Sequence, residues 1–255
     1  MRGHTTREVH LSHSQVSEFT MCPRRYHLHR RLGLEPEFAP SALVFGSSVH
    51  EALAFYHRMR LRGEEPELEA MLEVFRRRFG QEKLPVRYRP DESAESLEAK
   101  AAGMLSAYLE SPHLLGEVIG VEEPFRLTLH PELPPIHGRL DLVERENEGG
   151  LVITDFKTSS SRRKPDDYDQ LALYREAVRS FGDPSDGGVR ARYLALLKTK
   201  EPDIVLFCPH ESELDTARLI TGYREVWHAI RSGSRYPRTG WWCGGCRWQR
   251  HCDRG

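Results

Sequence analysis

The chain has 255 residues, of which 38% are hydrophobic and 29% are charged, and its formal net charge is −1 at pH 7. This length allows one large domain with a sizeable core. No apolar run approaches the roughly 18 residues of a membrane span, and no apolar signal segment opens the chain, so we expect a cytoplasmic protein. The near-zero net charge excludes a globally basic nucleic-acid-binding chain, although short arginine runs such as Arg76–Arg78 occur.

Two helices are predicted in the first part of the chain. The first begins near Ser14 and ends at Cys22, where a lone cysteine is most often a small buried hydrophobe. The second follows Gly46 with a serine cap at Ser47–Ser48 and places His50 in its first turns. Taken alone, His50 is most often a satisfied or exposed helical histidine. The alternative is a neutral imidazole that binds a metal.

Amphipathic helices are predicted over residues 66–80 and 93–110. We interpret the block 66–110 as a helical insertion over the core. Two strands, residues 118–122 and 125–129, then lead into the central hairpin.

The central hairpin joins residues 138–144 to residues 151–158 through a polar, glycine-containing turn. Because side chains alternate along a strand, Asp141 and Asp155 are predicted to lie opposite or diagonal on one face. Lys157 follows Asp155 by two residues and joins that face. Burying these charges unpaired costs several kcal/mol each, so a compensating group is expected. One candidate is Mg²⁺ or Mn²⁺, which carboxylates bind well, and the other is a buried Asp–Lys salt bridge.

A helix after the hairpin places Gln170 and Tyr174 on one face, four residues apart. On their own they are a surface glutamine above a half-buried tyrosine, but beside a metal site they could contact substrate. A second hairpin, residues 192–197 and 204–207, and a long helix over 211–231 complete this part of the chain.

Three cysteines, Cys243, Cys246 and Cys252, fall within ten residues at the end of the chain. The first two resemble a thioredoxin-type redox motif, but such a motif opens a helix within a βαβ core, whereas these cysteines lie at the end of the chain. Structural disulfides are not expected either, because no signal segment is recognised. Three clustered thiolates need a fourth, and Cys22 is the best candidate, whereas Cys208 is predicted to lie in the core of an apolar strand. Four thiolates suit either Zn²⁺ or a [4Fe–4S] cluster, and the spacing does not choose between them.

Together these motifs resemble a known family. In chain order they are Leu11-Ser12-x-Ser14 with Cys22-Pro23, Gly46-x-x-Val49-His50, Gly138-Arg139-x-Asp141, Asp155-Phe156-Lys157-Thr158, Gln170-x-x-x-Tyr174 and the terminal cysteines. The chain resembles the RecB-like branch of the PD-(D/E)xK nuclease superfamily, and more closely its iron–sulfur members, the Cas4-type and AddB-type nuclease domains. The resemblance implies an α/β, restriction-endonuclease-like core in which helices flank a central mixed sheet. It also implies one domain over residues 1–255.

The resemblance assigns a role to each motif residue. His50, Asp141, Asp155 and the carbonyl of Phe156 are implied as ligands of Mg²⁺ or Mn²⁺. Lys157 is implied as the catalytic lysine, acting with Asp141 and Asp155. The remaining implied roles are substrate contacts for Gln170 and Tyr174 and [4Fe–4S] ligation by Cys22, Cys243, Cys246 and Cys252.

The function expected from the resemblance is metal-dependent hydrolysis of DNA, most simply by an exonuclease acting on single-stranded ends. Its setting would be DNA repair and recombination or CRISPR adaptation, with a helicase or CRISPR adaptation proteins as partners and no membrane. One alternative is a non-catalytic single-stranded-DNA-binding subunit that stacks bases on Trp241, Trp242 and Trp248. Another is a zinc-structured adaptor of a helicase–nuclease complex.

Overall fold

A five-stranded mixed sheet forms the centre of the molecule, and the computed structural model describes residues 9–111, 116–147, 149–181 and 188–252. The α-helices in the described part of the chain are α1 (His13–Met21), α2 (Pro23–Tyr26), α3 (Ser41–Arg60), α4 (Leu68–Gly80), α5 (Ala94–Glu110), α6 (Asp169–Ser180) and α7 (Thr216–Arg231). The strands are β1 (Ala39–Pro40), β2 (Val86–Arg87), β3 (Glu117–Leu127), β4 (Ile136–Arg145), β5 (Leu151–Ser159), β6 (Val189–Leu197) and β7 (Asp203–Phe207). This arrangement confirms the predicted α/β class with a central mixed sheet flanked by helices.

The strands of this sheet lie in the order β3-β4-β5-β6-β7. The β5–β6 pair is parallel and is connected through α6, whereas the other three pairs are antiparallel hairpins or meanders. A crossover helix is what a parallel pair requires. It delivers the first turn of α6 to the end of β5, beside the acidic residues of the hairpin.

Each face of the sheet packs against its own set of helices. On one face, α3, α4 and α5 form a core that includes Leu142 and Phe156. On the other face, α1, α6 and α7 form a core that includes Leu140 and Ile153. In a regular strand, residues two apart point to the same face of the sheet. Leu140 and Leu142 belong to different cores, so this alternation is interrupted at Asp141.

The helix that carries His50 begins six residues earlier than predicted. It starts at Ser41 after Pro40, and Ser47 lies inside it, with its hydroxyl donating to the carbonyl of Val44 at 3.0 Å. The predicted serine cap is therefore wrong. The reason is tertiary, because the additional first turns bury Val44 and Phe45 in the core, and this burial outweighs the preference of serine for a cap.

Smaller differences concern the ends of other elements. The cap of α1 is Ser12, which accepts from the N–H of Gln15, rather than Ser14. The two strands predicted before the hairpin are one strand, β3, with an irregularity near Gly120. The long helix α7 begins at Thr216 rather than at 211. Helices α4 and α5 occupy the predicted 66–110 block and pack against α3, and their status as an insertion stays a prediction.

None of the helices in the described part of the chain has both the length and the apolar character that crossing a bilayer requires.

Candidate active site and cysteine pocket

The β4–β5 hairpin brings the two predicted aspartates to neighbouring positions. Its ladder runs from Arg145 opposite Leu151 to Leu142 opposite Thr154, and the next position along each strand is Asp141 and Asp155. The ladder ends there because the side chain of Asp141 accepts the N–H of Phe156 at 2.8 Å.

Asp155 is almost completely buried, with 2% of its surface exposed, and it is held by residues from two elements. Its Oδ1 accepts from Nε2 of Gln170 at 3.0 Å, and its Oδ2 lies 2.6 Å from Nζ of Lys157. Nζ of Lys157 also donates to Oε1 of Gln170 at 2.8 Å, and Nε2 of Gln170 donates to Oη of Tyr174 at 2.7 Å. The Gln170–Tyr174 pair therefore orients the carboxylate and the ammonium together.

Burial raises the pKa of Asp155 to about 6. The positive charge of Lys157 opposes this rise, while the neighbouring charge of Asp141 adds to it. The ion pair with Lys157 thus compensates the buried charge only in part. A further cation beside Asp155 would stabilise its ionised form.

His50 approaches from α3, with Nδ1 placed 3.3 Å from Oδ2 of Asp141. Burial alone would lower the pKa of His50, but contact with Asp141 and the charges of Asp141 and Asp155 outweigh burial and raise it. The structure thus brings together His50, Asp141, Asp155 and Lys157, along with Gln170.

Glu122 was not among the predicted site residues. One ligand atom each from His50, Glu122 and Asp141 all lie within 4.8 Å of one another, and Asp155 is not part of that group. A signal was present in the sequence, because Glu122 stands on the strand that pairs with β4, but the register of that strand was not predictable. The Phe156 side chain lies in the α3–α5 core, and metal binding by its carbonyl stays a prediction.

The site opens into a groove between α3 and α6. Gly138 allows the wall of this groove to pack closely, because a Cβ at this position would lie 2.3 Å from the ring of Phe125. Residues lining the groove include Ser12, His13, Leu43, His50, Glu51, Arg78, Glu122, Arg139, Asp141, Gln170 and Tyr174. Both charge signs are present, and the groove has room for a substrate beside the carboxylates.

The donor set suits a hard divalent cation. Carboxylate oxygens dominate, one imidazole nitrogen is present, and no cysteine lines the groove within the described residues. Mg²⁺ and Mn²⁺ prefer such ligands, and Mn²⁺ accepts imidazole readily. Lys157 compensates the buried charge of Asp155 only in part, and this observation favours a bound cation at the site.

A second cluster lies at the junction of the chain ends. Cys22 closes α1, and it lines one small cavity together with Cys243, Cys246 and Cys252. The structure thus brings together the four cysteines that the sequence analysis grouped. Among the described residues, no three cysteine sulfurs lie within 4.8 Å of one another.

Side chains other than cysteine also attach the terminal segment to the start of the chain. Trp248 is fully buried, its Nε1 donates to the carbonyl of Leu34 at 2.8 Å, and its ring lies 4.7 Å from that of His29. Arg247 donates to the carbonyl of Phe38 at 2.8 Å. One expectation is therefore corrected, because the buried Trp248 cannot stack on DNA. The terminal segment also has an anchor besides its cysteines.

Cys208 is exposed and follows β7 instead of lying within it. The prediction that it is a core residue is wrong. The apolar residues before it belong to an edge strand of the sheet, where Leu206 is 43% exposed. An apolar sequence on such a strand therefore does not imply that its side chains are buried.

Comparison with known proteins identifies the family. A family model described as the PD-(D/E)XK nuclease superfamily matches residues 10–253. No curated protein matches the chain. A crystal structure from Eubacterium rectale, provisionally named an exonuclease, has a TM-score of 0.63 at 16% identity and covers 96% of this chain and 90% of that one, which shows a shared fold. The SSO0001 structure has a TM-score of 0.45 at 14% identity and covers 98% of this chain and 88% of that one, a similarity too low to show a shared fold. The chain belongs to the PD-(D/E)XK nuclease superfamily.

Proposed function

We propose that this protein is a divalent-metal-dependent deoxyribonuclease of the RecB-like, iron–sulfur branch. The observation that carries the proposal is the convergence of His50, Asp141, Asp155 and Lys157 at the end of the β4–β5 hairpin, where His50 and Asp141 line the groove. The provisional name of the E. rectale protein agrees with the exonuclease part of the proposal.

In the proposed site, His50, Asp141, Asp155 and the carbonyl of Phe156 hold the cation. Bound Mg²⁺ or Mn²⁺ supplies Lewis-acid stabilisation of charge on a phosphate and lowers the pKa of water. Lys157, held by Asp155 and Gln170, places its ammonium where it can orient a water and stabilise negative charge.

Gln170 and Tyr174 have a positioning role in this proposal as well as the predicted contact with substrate. Burial, and then the charges of Asp155 and Asp141, raise the pKa of Tyr174, so its hydroxyl stays protonated. That hydroxyl accepts from Gln170 and keeps its own proton available for a substrate oxygen. Their role as substrate contacts therefore remains compatible with the geometry.

We further propose that Cys22, Cys243, Cys246 and Cys252 bind one [4Fe–4S] cluster with a structural role. What supports the proposal is that all four cysteines line one small cavity, together with the resemblance of their spacing to that of the iron–sulfur members of the family. Iron and sulfide analysis with visible absorbance on anaerobically prepared protein tests the assignment, and stoichiometric zinc without iron would contradict it.

The test of the main proposal is digestion of end-labelled single- and double-stranded DNA with Mg²⁺, Mn²⁺ or chelator. Metal-dependent shortening from one end of a single strand is the expected result, and comparison of 5′ and 3′ labels gives the polarity. Digestion of closed circular DNA would argue against the exonuclease part. DNA binding without cleavage under all conditions would favour a non-catalytic subunit, for which Trp241, 87% exposed, remains a possible stacking surface.

A further inference from the structure

The two segments that meet at the cysteine pocket are both rich in arginine. Residues 19–34 contain four arginines and residues 226–252 contain five, and neither range contains an aspartate or a glutamate. The whole chain, by contrast, has a formal net charge of −1. Because the fold brings these two ranges into contact, their positive charge is concentrated on one part of the surface.

Only part of this charge is neutralised within the protein. The buried carboxylate of Glu18 lies 3.3 Å from Nε of Arg25. Arg24, Arg31 and Arg235, however, form no ion pair with any residue that the structure describes, and the buried Nε of Arg24 also lacks a hydrogen-bond partner there. These three guanidinium groups are therefore available to an anion from outside the protein.

The three arginines lie beside one histidine and one tyrosine. On the helical segment that follows α1, Arg24 and Arg31 stand within about one turn on either side of His27. The N–H of Arg24 donates to the carbonyl of Tyr236 at 3.1 Å, which places Arg235 beside the same segment. Burial and the charges of Arg235, Arg24 and Arg31 all lower the pKa of His27, so the three arginines share one neighbourhood. We call these five residues the arginine patch.

Tyr236 gives the arginine patch an accessible ring. Its surface is 61% exposed, while its carbonyl is fixed by the hydrogen bond from Arg24. The bland alternative is a lone exposed aromatic residue among arginines that only keep the protein soluble. Ordinary surfaces, however, intersperse both charge signs, and the two segments here contain no acidic residue. Exposed rings combined with arginines are typical of surfaces that bind single-stranded nucleic acid.

Helix α1 connects the arginine patch to the active-site groove. Ser12 and His13, at the start of α1, line the groove, and the segment with Arg24 follows the other end of the helix. At 1.5 Å per residue, the nine residues of α1 span about 14 Å. A single strand with nucleotides about 3.4 Å apart covers this length with about four nucleotides. A longer strand bound in the groove can therefore reach the patch.

We infer that the arginine patch is a second binding surface for single-stranded DNA, outside the catalytic groove. This inference rests on the proposed function, because a DNA substrate identifies the anion. The arginines bind phosphates, and the ring of Tyr236 stacks on a base about four nucleotides from the groove. The patch retains the strand while its end is cleaved.

The ring is tested by comparing two 20-nucleotide strands, one of thymidine and one abasic, which bind the full chain in the presence of chelator. Fluorescence anisotropy gives each affinity. Tyr236→Ala should weaken binding of the thymidine strand by about 10-fold and of the abasic strand by less than about 2-fold, because stacking requires a base. Tyr236→Phe keeps the ring and should bind both strands as the wild type does. Wild-type affinity of Tyr236→Ala for the thymidine strand, or equal losses on both strands, would overturn the inference.

The arginines are tested by the salt dependence of the same binding. Arg31→Gln and Arg235→Gln should each reduce the slope of log affinity against log salt concentration by about 0.7, the value for one phosphate contact to a single strand. The matched control is Arg62→Gln, the same change at an exposed arginine beyond the far end of α3, which should keep the wild-type slope. Unchanged slopes in both patch variants, or an equal decrease in Arg62→Gln, would contradict the inference.

Failure of this inference can be distinguished from failure of the proposed function. A wild type that cleaves DNA, with unchanged binding in Tyr236→Ala, would overturn the inference alone. A wild type that binds the thymidine strand through Tyr236 but cleaves no DNA with Mg²⁺ or Mn²⁺ would contradict the proposed function instead. Thermal denaturation of each variant shows whether its fold is intact.

Discussion

Two regions of the molecule are built in opposite ways: the acidic row, which is Asp141 and Asp155 on the β4–β5 hairpin, and the cysteine pocket, which is lined by Cys22, Cys243, Cys246 and Cys252. The row arises from local strand register, since Asp141 and Asp155 are joined by one hairpin. The pocket joins Cys22 to residues more than two hundred positions later in the chain. In the proposed function, the row concentrates like charges that a bound cation would neutralise, whereas a cluster in the pocket would cross-link the two ends of the described chain and stabilise the fold. Substitutions in the acidic row should therefore affect mainly DNA cleavage, and substitutions in the cysteine pocket should affect mainly stability.

The largest expected effect is on cleavage. Asp155→Asn, Asp155→Ala, Lys157→Ala and Asp141→Asn should each reduce DNA cleavage by about 10³-fold or more, because each removes a ligand or the ammonium beside the cation. The apo form of Asp155→Asn should melt at or above the wild-type temperature, since a buried charge is removed. Cleavage at the wild-type rate in Asp155→Ala or Lys157→Ala would refute the catalytic assignment.

The converse experiment alters the pocket. Cys22→Ser should lose the iron and lower the free energy of unfolding by about 2–4 kcal/mol, by analogy with the loss of a cross-link that closes a long loop. Protease cleavage within 232–252 should accelerate, although Trp248 provides remaining anchorage. Cys208→Ser is the matched control and should change stability by less than about 0.5 kcal/mol, because Cys208 is exposed. Full iron content in Cys22→Ser would contradict the assignment.

The same contrast, between local patterns and contacts distant in sequence, explains how much of each region could be predicted from the sequence. The hairpin, Lys157 and the Gln170–Tyr174 spacing are local patterns, so their geometry could be predicted from alternation and helical periodicity. Glu122 could not, because its position depends on an irregular strand and a positive φ that no local pattern encodes.

Tertiary packing explains the other failures. The start of α3 at Ser41 depends on the core that its first turns join, and the burial of Trp248 depends on contacts with the beginning of the chain. The grouping of Cys22 with the terminal cysteines came from counting thiolates and from family resemblance.

An intermediate effect is expected at His50. His50→Ala should weaken Mn²⁺ binding by about 10-fold or more while changing the melting temperature little, because its imidazole faces Asp141 in the groove. His57→Ala is a useful comparison, since His57 lies on the same helix, is fully buried and should lower stability instead. Identical Mn²⁺ titrations for His50→Ala and the wild type would show that His50 is a helical residue that does not bind the metal.

The smallest effect concerns pH. Burial raises the pKa of Asp155 to about 6 in the folded protein, against 3.8 for the free group. The folded state therefore binds more protons between these values, and the stability of the apo protein should fall as pH rises from about 4 to about 6, by about 1–3 kcal/mol. Denaturant unfolding of wild type and Asp155→Asn measures the difference. An unchanged slope in the variant would show that other groups cause the dependence.

The central claim is that the acidic row holds the cation required for DNA cleavage. Anomalous diffraction from Mn²⁺-soaked crystals tests it most directly. The account predicts a manganese peak about 2.0–2.3 Å from carboxylate oxygens of both Asp141 and Asp155. Saturating Mn²⁺ with no peak at these carboxylates, in a protein that still cleaves DNA, would contradict it.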